Sequence, residues 1–379
     1  MPENLLFTSW YTGLGGGETD LLALAQFLDH DRWRPHLLVP ADGVLAQKWR
    51  EHGWTVHIIP YRGASTYFVP MIWRQFPVVK RFADLLQDAD IRLVASEYHT
   101  LPLIQPGAQA LNIPLMWTVH GWWFRPNLWQ QAFFREIPVV ARSRSIRDGF
   151  LGSPPFMPPD DIPIIYSGVD TDRFRPSPQA YYAEREALEL SPDTPLVVMV
   201  ARFQEVKGHH TFQEMARLVL SQMPDVHFVV AGEDTFGVSK DEAYRQQMLA
   251  NARTDPTLRE RLHYIGFRDD VERVLASADV VVCASTFESY GKVNLEAMAC
   301  ACPVVSTEQG GPSETILHNQ IGYLVTPDDA SAFAGYVLAL LRDPALRWRF
   351  GERGRARVLN HFSAQTTAEQ YQSFFSELS

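Results

Sequence analysis

The sequence of 379 residues contains only three cysteines, Cys283, Cys300 and Cys302. The last two are separated by one residue, and no histidine or further cysteine accompanies them at the spacing of metal ligands. So few cysteines exclude a disulfide framework, and their spacing does not indicate a metal site. We therefore interpret all three as small, buried hydrophobic side chains.

The sequence also lacks a long apolar run, a charged-then-apolar leader and an excess of basic residues. No apolar run reaches the roughly 18 to 20 residues that are needed to cross a bilayer. The formal net charge is -10, whereas binding of phosphodiester backbones needs a broad basic face. These absences argue against a membrane span and a nucleic-acid partner, and they predict a cytoplasmic protein.

Short apolar runs rich in β-formers alternate with helix-length segments, which is the pattern of a parallel sheet covered by helices on both faces. The alternation occurs in two series, and the chain is longer than one core usually supports. The predicted strands of the first series are Asn4–Ser9, His36–Pro40, Thr55–Ile59, Arg92–Ser96, Pro114–Val119 and Pro138–Ala141. Those of the second are Leu196–Val200, His227–Ala231, Leu262–Ile265, Val280–Ala284 and Pro303–Ser306. The sequence thus predicts two doubly wound α/β domains.

A segment rich in proline and turn formers separates the two series. We expect a first domain over residues 1–175 and a second over residues 176–360. Within residues 361–379, apolar side chains recur at the spacing of one helical face. This segment is predicted to form an amphipathic helix that packs back on the N-terminal domain.

Loops that follow strands are the candidate sites, because open α/β sheets bind ligands at the carboxyl ends of their strands. In the first half, Gly16 and Gly17 precede a helix expected to begin near Thr19, where backbone N–H groups can approach an anion. A tight turn explains these glycines equally well. His120 follows a strand and can exchange hydrogen bonds near neutral pH, with a satisfied buried histidine as the alternative.

In the second half, Arg202 and Lys207 follow a strand and precede a helix. Such cations suit a diphosphate, which Arg binds bidentately and Lys as a point charge. Two ordinary surface cations are the alternative interpretation.

The strongest pattern in the sequence is a pair of carboxylates around one turn. Glu288 precedes Gly291, and Glu296 lies in the helix that begins near Lys292. The helix N-terminus offers free N–H groups for a diphosphate, while the carboxylates accept hydrogen bonds from sugar hydroxyls. Capping and solvation explain each glutamate separately, but not their joint placement.

Together these residues resemble glycosyltransferase family 4, which has the GT-B fold of two Rossmann-like domains facing each other across a cleft. The two glutamates separated by seven residues are the most specific match. The other matches are Gly16-Gly17-Glu18, His120-Gly121, Gly168-Val169-Asp170, Arg202, Lys207, Gly266-Phe267 and Gly310-Gly311-Pro312-Ser313-Glu314. The resemblance covers nearly the whole chain and implies a retaining hexosyltransferase that uses a nucleotide diphosphate sugar.

The resemblance also implies roles for individual residues. Glu288 would hold hydroxyls of the transferred sugar and Glu296 the ribose, while Arg202 and Lys207 neutralise the diphosphate. His120 would sit against the donor sugar near the reacting centre. The remaining donor-binding positions implied are Gly16, Gly17, Phe267, Gly291, Lys292 and Val293.

The family works with retention at the anomeric carbon and without an obligatory metal or other cofactor. Fixed cations and helix dipoles must then stabilise the leaving group, whose diphosphate oxygen accepts the acceptor's proton in a front-face displacement. Three residues depart from the family pattern: Tyr290 replaces a Phe, Ala301 a Gly and Ser167 an Asn. These changes affect the prediction of the donor's identity more than the prediction of activity.

The acceptor is expected to be a carbohydrate, a lipid-linked compound or a small molecule with a hydroxyl group. Residues 67–81 mix aromatic side chains with Arg and Lys, as an interfacial membrane segment would. Two prolines and few cations favour a core-facing helix or an acceptor loop instead. Peripheral contact with the inner face of the membrane is therefore the minority hypothesis.

The sequence features leave some alternatives to this function open and disfavour others. A nucleotide-sugar 2-epimerase of the same fold and an inactive nucleotide-sugar-binding protein remain open, and a UDP-sugar is favoured over GDP-mannose as donor. A dinucleotide oxidoreductase is disfavoured because the first loop lacks the required glycine spacing. Asp170 and Asp172 have the spacing of a metal-binding pair but fall in the interdomain linker.

Overall fold

The computed structural model describes residues 2–63, 75–121, 126–234 and 238–378. The chain divides into two compact units, the first formed by Met1–Gly168 with Ala364–Ser379 and the second by Val169–Ser363. Each unit contains one six-stranded sheet in which all described strand pairs are parallel. The predicted fold class, two doubly wound α/β domains, is confirmed.

In the first unit the strand order is β3-β2-β1-β4-β5-β6. Its strands are β1 Glu3–Thr8, β2 Trp33–Val39, β3 Thr55–Ile58, β4 Ile91–Ser96, β5 Leu115–Val119 and β6 Val139–Ala141. Its helices are α1 Gly16–Phe27, α2 Val44–Glu51, α3 Phe76–Asp88, α4 Leu101–Ala110, α5 Leu128–Phe134 and α6 Arg144–Leu151. The direction of strand addition reverses between β1 and β4, which is the switch point where such sheets bind ligands.

In the second unit the order is β12-β11-β10-β7-β8-β9, so the switch point lies between β7 and β10. Its strands are β7 Leu196–Val200, β8 His227–Ala231, β9 Leu262–Gly266, β10 Val280–Cys283, β11 Val304–Thr307 and β12 Gly322–Val325. Its helices are α7 Pro178–Ala187, α8 His209–Leu220, α9 Ser239–Thr254, α10 Val271–Ala276, α11 Lys292–Ala299, α12 Pro312–Thr315, α13 Ala330–Arg342 and α14 Pro344–His361. Strand β12 was not predicted; it begins with Gly322, and glycine is depleted in strands.

The last helix, α15 (Ala364–Leu378), belongs to the first unit although it follows the second in sequence. Phe375 is fully buried and meets Trp33 edge to face, with ring centroids 5.6 Å apart. Tyr371 Oη lies 3.2 Å from Thr118 Oγ1 in β5. The units divide at Gly168 rather than after residue 175, since the Val169 N–H already donates to a second-unit carbonyl.

The aromatic acceptor segment, residues 67–81, lies partly outside the described residues. The part outside is residues 67–74 of the acceptor segment. From Phe76 onward the acceptor segment forms α3, whose Val79, Phe82 and Leu86 are buried in the core of the first unit. Among the described helices, none has both the length and the apolar character that a bilayer crossing requires.

Each unit contains a pair of histidines on neighbouring strands. His36 Nδ1 in β2 lies 3.0 Å from His57 Nε2 in β3, and the rings stack. His227 and His263 repeat this arrangement on β8 and β9, with the nitrogens 2.8 Å apart. Burial, and then the neighbouring histidine, lower the pKa of His36 and of His227 to about 4. Both are therefore neutral in the folded protein at pH 7.

We expect the free energy of unfolding to fall as the pH drops from about 6.5 to about 4. In that window the unfolded chain takes up protons that His36 and His227 cannot bind when folded. The variant His36→Gln should flatten the decline by up to ~1.4 kcal/mol per pH unit near pH 5. Urea unfolding at several pH values measures this slope. His30→Gln is the control because His30 is exposed, and equal slopes in both variants would contradict the account.

Candidate functional site

The switch point of the second unit brings two predicted site residues into contact. Lys207 follows β7 and Glu288 follows β10, and the two are 81 positions apart in sequence. Lys207 Nζ lies 2.6 Å from Glu288 Oε2. The Ser285 hydroxyl donates to the same oxygen at 3.3 Å. Since neither bond engages Glu288 Oε1, the carboxylate keeps an acceptor for a ligand within the described part of the chain.

The two loops meet because their backbones touch. Gly208 has a φ of +71°, and a Cβ there would lie 1.9 Å from the carbonyl oxygen of Ala284. The Thr286 N–H donates to the Val206 carbonyl at 2.9 Å. Only glycine at position 208 permits this approach, and the approach sets the distance between Lys207 and Glu288.

The backbone of Glu288 is also held from the opposite side. Its N–H donates to the Gln309 carbonyl at 3.2 Å, and its carbonyl accepts from the Gly311 N–H at 2.9 Å. Gly310 has a φ of +86°, and a Cβ there would lie 2.1 Å from the Glu288 carbonyl oxygen. The glycine pair predicted from the resemblance therefore fixes the carboxylate by close backbone contact.

Helix α11 begins directly after this turn. Gly291 is its N-terminal cap with a φ of +79°, and Lys292 and Val293 form its first turn as predicted. Free N–H groups and positive potential at this end suit an anion. Glu296 lies about one turn further on and is half-buried. Burial raises the pKa of Glu296, while Lys292 and Arg173 lower it.

Charge at the switch point is positive on balance. Burial is the largest single influence and lowers the pKa of Lys207, but the charge and hydrogen bond of Glu288, together with Cys283, raise this pKa overall, so the lysine stays protonated. Arg202 is exposed and forms no ion pair within the described residues. Arg202 is also close enough to lower the pKa of Lys207. Two cations and a helix N-terminus against one paired carboxylate favour an anionic ligand.

His209 supports the Arg202 loop and was missed in the sequence. Its Nε2 donates to the Arg202 carbonyl at 2.9 Å, and its ring stacks on Phe203 with centroids 4.3 Å apart. No sequence signal distinguished it from a surface histidine, since its contacts are made only in the folded loop.

Phe267 lies in the loop that follows β9, the edge strand of the second sheet. It follows Gly266, the last residue of β9, and is 72% exposed. The next residue, Arg268, binds both oxygens of Glu184 at 2.8 and 3.0 Å and also binds Asp270. This clamp holds the loop while the Phe267 ring stays open to a ligand.

In the first unit, the glycine loop and His120 lie together. Helix α1 begins at Gly16 rather than near Thr19, because Glu18 caps the turn by accepting from the Gly15 N–H at 3.0 Å. A Cβ at Gly17 would lie 3.7 Å from His120 Nδ1. Burial lowers the pKa of His120 to about 4. The candidate residues Gly17 and His120 thus lie together at this end of the sheet.

Arg142 is a further residue of this cluster that sequence analysis missed. Its Nη1 donates to His120 Nδ1 at 2.7 Å. It also forms an ion pair with Asp20 and donates to the hydroxyl of Ser167. Its position directly after β6 is the signal that could have identified it, because the other candidates also follow strands.

The structure shows the backbone conformation or the hydrogen bond of two residues that depart from the family pattern. Ala301 has a φ of +57°, a conformation that glycine adopts more readily. Ser167 accepts the hydrogen bond from Arg142. Tyr290 is buried, and nothing in the structure explains why it replaces a phenylalanine.

Within the described ranges, no three or more His, Cys, Asp or Glu side chains are grouped so as to hold an ion. Asp170 Oδ1 accepts from the N–H groups of Asp172 and Arg173, so it stabilises a turn. All three cysteines are free and buried, as interpreted from the sequence.

Two protein-family models match the chain. Residues 182–357 match the model described as glycosyl transferases group 1. Residues 14–173 match the model described as glycosyltransferase family 4. Together the two matches cover most of both units.

Curated relatives match over part of their length. The alpha-maltose-1-phosphate synthase of Mycobacterium tuberculosis is 32% identical over 267 residues, which are 66% of this chain and 66% of the relative. The lipopolysaccharide core biosynthesis glycosyltransferase LpsE of Rhizobium meliloti is 32% identical over 50% of this chain and 52% of its own. The chain thus spans about two thirds of the first relative and about half of the second.

Solved structures share the fold over the full length. The Anabaena protein Alr3699/HepE, in complex with UDP and glucose, has a TM-score of 0.81 at 22% identity and covers 99% of each chain. A glycosyltransferase from Rickettsia africae has a TM-score of 0.85 at 20% identity, covering 100% of this chain and 98% of its own.

Replacing the glycine at the loop contact tests what brings Lys207 and Glu288 together. We expect Gly208→Ala to lower the free energy of unfolding by more than about 3 kcal/mol, since its Cβ collides with a backbone carbonyl at a positive φ. Urea denaturation measures the change. Gly335→Ala in α13 is the matched control, because a Cβ there meets nothing within 4 Å; it should be neutral or stabilising by up to ~1 kcal/mol. Equal effects of the two variants would refute the explanation.

Proposed function

Because the chain belongs to glycosyltransferase family 4 and has the GT-B fold, we propose that it is a retaining hexosyltransferase. It moves a hexose from a nucleotide diphosphate sugar to a hydroxyl acceptor. The observation that carries this proposal is the 2.6 Å contact between Lys207 and Glu288 beside the N-terminus of α11. A UDP-sugar is the favoured donor and GDP-mannose the second.

The diphosphate binds where positive charge is concentrated. Arg202 and Lys207 supply two cations, and the backbone at Gly291, Lys292 and Val293 supplies N–H groups of the helix N-terminus. The exposed Arg202 is free to reach a phosphate oxygen without first breaking an ion pair in the described chain.

The sugar and the nucleoside contact the flanking groups. Glu288 Oε1 accepts a hydrogen bond from a hydroxyl of the transferred hexose, while Lys207 and Ser285 hold Oε2. Glu296 makes no side-chain hydrogen bond within the described residues and accepts from the ribose hydroxyls. The backbone at Phe267 receives the base. UDP in the related Anabaena structure supports uracil as that base.

The chemistry follows from this charge distribution. As the anomeric C–O bond breaks, negative charge grows on the leaving diphosphate, where Arg202, Lys207 and the helix dipole stabilise it. The diphosphate oxygen then takes the acceptor's proton, and the acceptor oxygen attacks from the same face. The protein provides fixed electrostatic stabilisation rather than a catalytic base, and its own cations suffice without an obligatory metal.

Two other functions remain candidates. A nucleotide-sugar 2-epimerase of the same fold would act on the donor alone, and an inactive binding protein would bind it without turnover. The acceptor is a carbohydrate, a lipid-linked compound or a small molecule. The protein works in the cytoplasm, with peripheral membrane contact as the minority hypothesis. Salt-sensitive binding to anionic vesicles would support that contact, and its absence would remove it.

We expect UDP-sugars to raise the melting temperature of the protein, because a ligand that binds only the folded state stabilises it by mass action. We further expect Lys207→Ala and Glu288→Ala each to slow UDP release from the donor by about 100-fold or more while leaving the fold intact. Thermal shift and UDP release are measured on the same samples.

The control variants are Lys240→Ala and Glu205→Ala. These residues form a similar ion pair at 3.1 Å in the same unit, but both side chains are largely exposed. They should keep nearly full activity, since exposed pairs contribute little. Wild-type turnover in Lys207→Ala or Glu288→Ala, or no thermal shift with UDP-, GDP- or ADP-sugars, would overturn the proposed function.

A further inference from the structure

The contact between Arg142 and His120 fixes which ring nitrogen of the histidine carries a proton. Arg142 Nη1 lies 2.7 Å from His120 Nδ1. A guanidinium group has only donors and stays protonated. Nδ1 must therefore accept this hydrogen bond with its lone pair. In a neutral ring the single proton then resides on Nε2.

The surroundings of His120 keep the ring neutral. Burial lowers its pKa to about 4. Arg142 and the N-terminus of α1, at Gly17, both place positive charge beside the ring. The acidic side chains that face this cluster are engaged elsewhere, since Asp20 pairs with Arg142 and Glu18 accepts from the Gly15 N–H.

Arg142 itself is held in place from two further sides. Its side chain is 8% exposed and that of its ion-pair partner Asp20 is 9% exposed. The Ser167 hydroxyl accepts another of its N–H groups. Two partners on two segments of the chain, Asp20 and Ser167, thus aim the guanidinium at His120. Ser167 is also the position where the family pattern has an asparagine, so the departure coincides with the Arg142 contact.

We propose that Arg142 is a positioning residue that makes His120 a hydrogen-bond donor, through Nε2–H, to an oxygen of the bound ligand. Nε2 makes no hydrogen bond within the described residues, so it is open to a sugar hydroxyl or a phosphate oxygen. His120 then orients the ligand and does not act as a general base. That the ligand is a nucleotide sugar rests on the function proposed above, whereas the proton position does not.

The proton position is measured by NMR of the ring nitrogens in protein labelled with 15N-histidine at pH 7. The His120 signals are those that disappear in His120→Gln. We expect a protonated Nε2 and an unprotonated Nδ1 in the wild type. In Asp20→Asn/Arg142→Met, a population protonated at Nδ1 should appear, and the ring should titrate at higher pH. The proposal would be overturned if Nδ1 of His120 is protonated in the wild type, or if the double variant gives the same spectrum as the wild type.

The double variant removes both members of the buried ion pair, so neither charge is left without its partner. Arg142→Lys is the second variant, because lysine keeps a cationic donor and should keep the proton on Nε2. A thermal denaturation curve for each variant shows whether it is folded. If the double variant fails to fold, loss of the wild-type proton position in Arg142→Lys contradicts the proposal.

A pair of isosteric substitutions tests the donor role in activity. His120→Gln retains an N–H group near the position of Nε2, whereas His120→Glu offers only acceptors at neutral pH. We expect UDP release to fall by less than about tenfold in the first and by more than about 100-fold in the second. Equal losses would overturn the donor role. If the wild type itself releases no UDP, the proposed function fails, while the NMR result still decides the proton position.

Discussion

The approach of Gly208 to the carbonyl of Ala284 is the constraint on which the second unit's site depends. Without a side chain at position 208, two loops that follow neighbouring strands touch through their backbones. That contact fixes the separation of Lys207 and Glu288, and Gly310 fixes Glu288 from the other side in the same way. Side-chain charges are thereby placed by backbone geometry, which is more rigid than packing of long side chains. Preorganised charges of this kind stabilise a transition state without rearrangement.

The doubly wound topology explains why the candidate functional residues lie together at the carboxyl ends of the strands. In the second unit β7 and β10 are neighbours across the switch point, so their loops diverge and leave room for a ligand. In the first unit, the loop after β1 and the residues that follow β5 and β6 bring Gly17, His120 and Arg142 together. Each unit therefore presents charged or hydrogen-bonding groups at the carboxyl ends of its strands. The two clusters differ in chemistry: the second unit concentrates positive charge, while the first holds a neutral histidine.

Most strands and several candidate site residues could be predicted from the sequence. Strands such as Leu196–Val200 and His227–Ala231 were predicted with their observed ends, because buried parallel strands are continuous apolar runs. Candidate site residues such as Glu288 and Lys207 were identified because they follow strands and match a family pattern. The contacts of Arg142 and of the histidine pairs could not be predicted, since each joins different strands or loops, and those of His209 are made only within the folded loop. Strand β12 begins with a glycine, which weakens its strand signal, and its pairing with β11 exists only in the folded sheet.

The most direct test of the central claim is a double-mutant cycle on the affinity for UDP-glucose, measured by titration calorimetry. If Lys207 and Glu288 share one donor pocket, Lys207→Met should weaken binding strongly, because it leaves an unpaired carboxylate near the diphosphate. Adding Glu288→Gln to this variant should then restore part of the lost affinity. The coupling free energy between the two substitutions should be at least about 1 kcal/mol. Strictly additive losses, or no binding of any nucleotide sugar to the wild-type protein, would contradict the account.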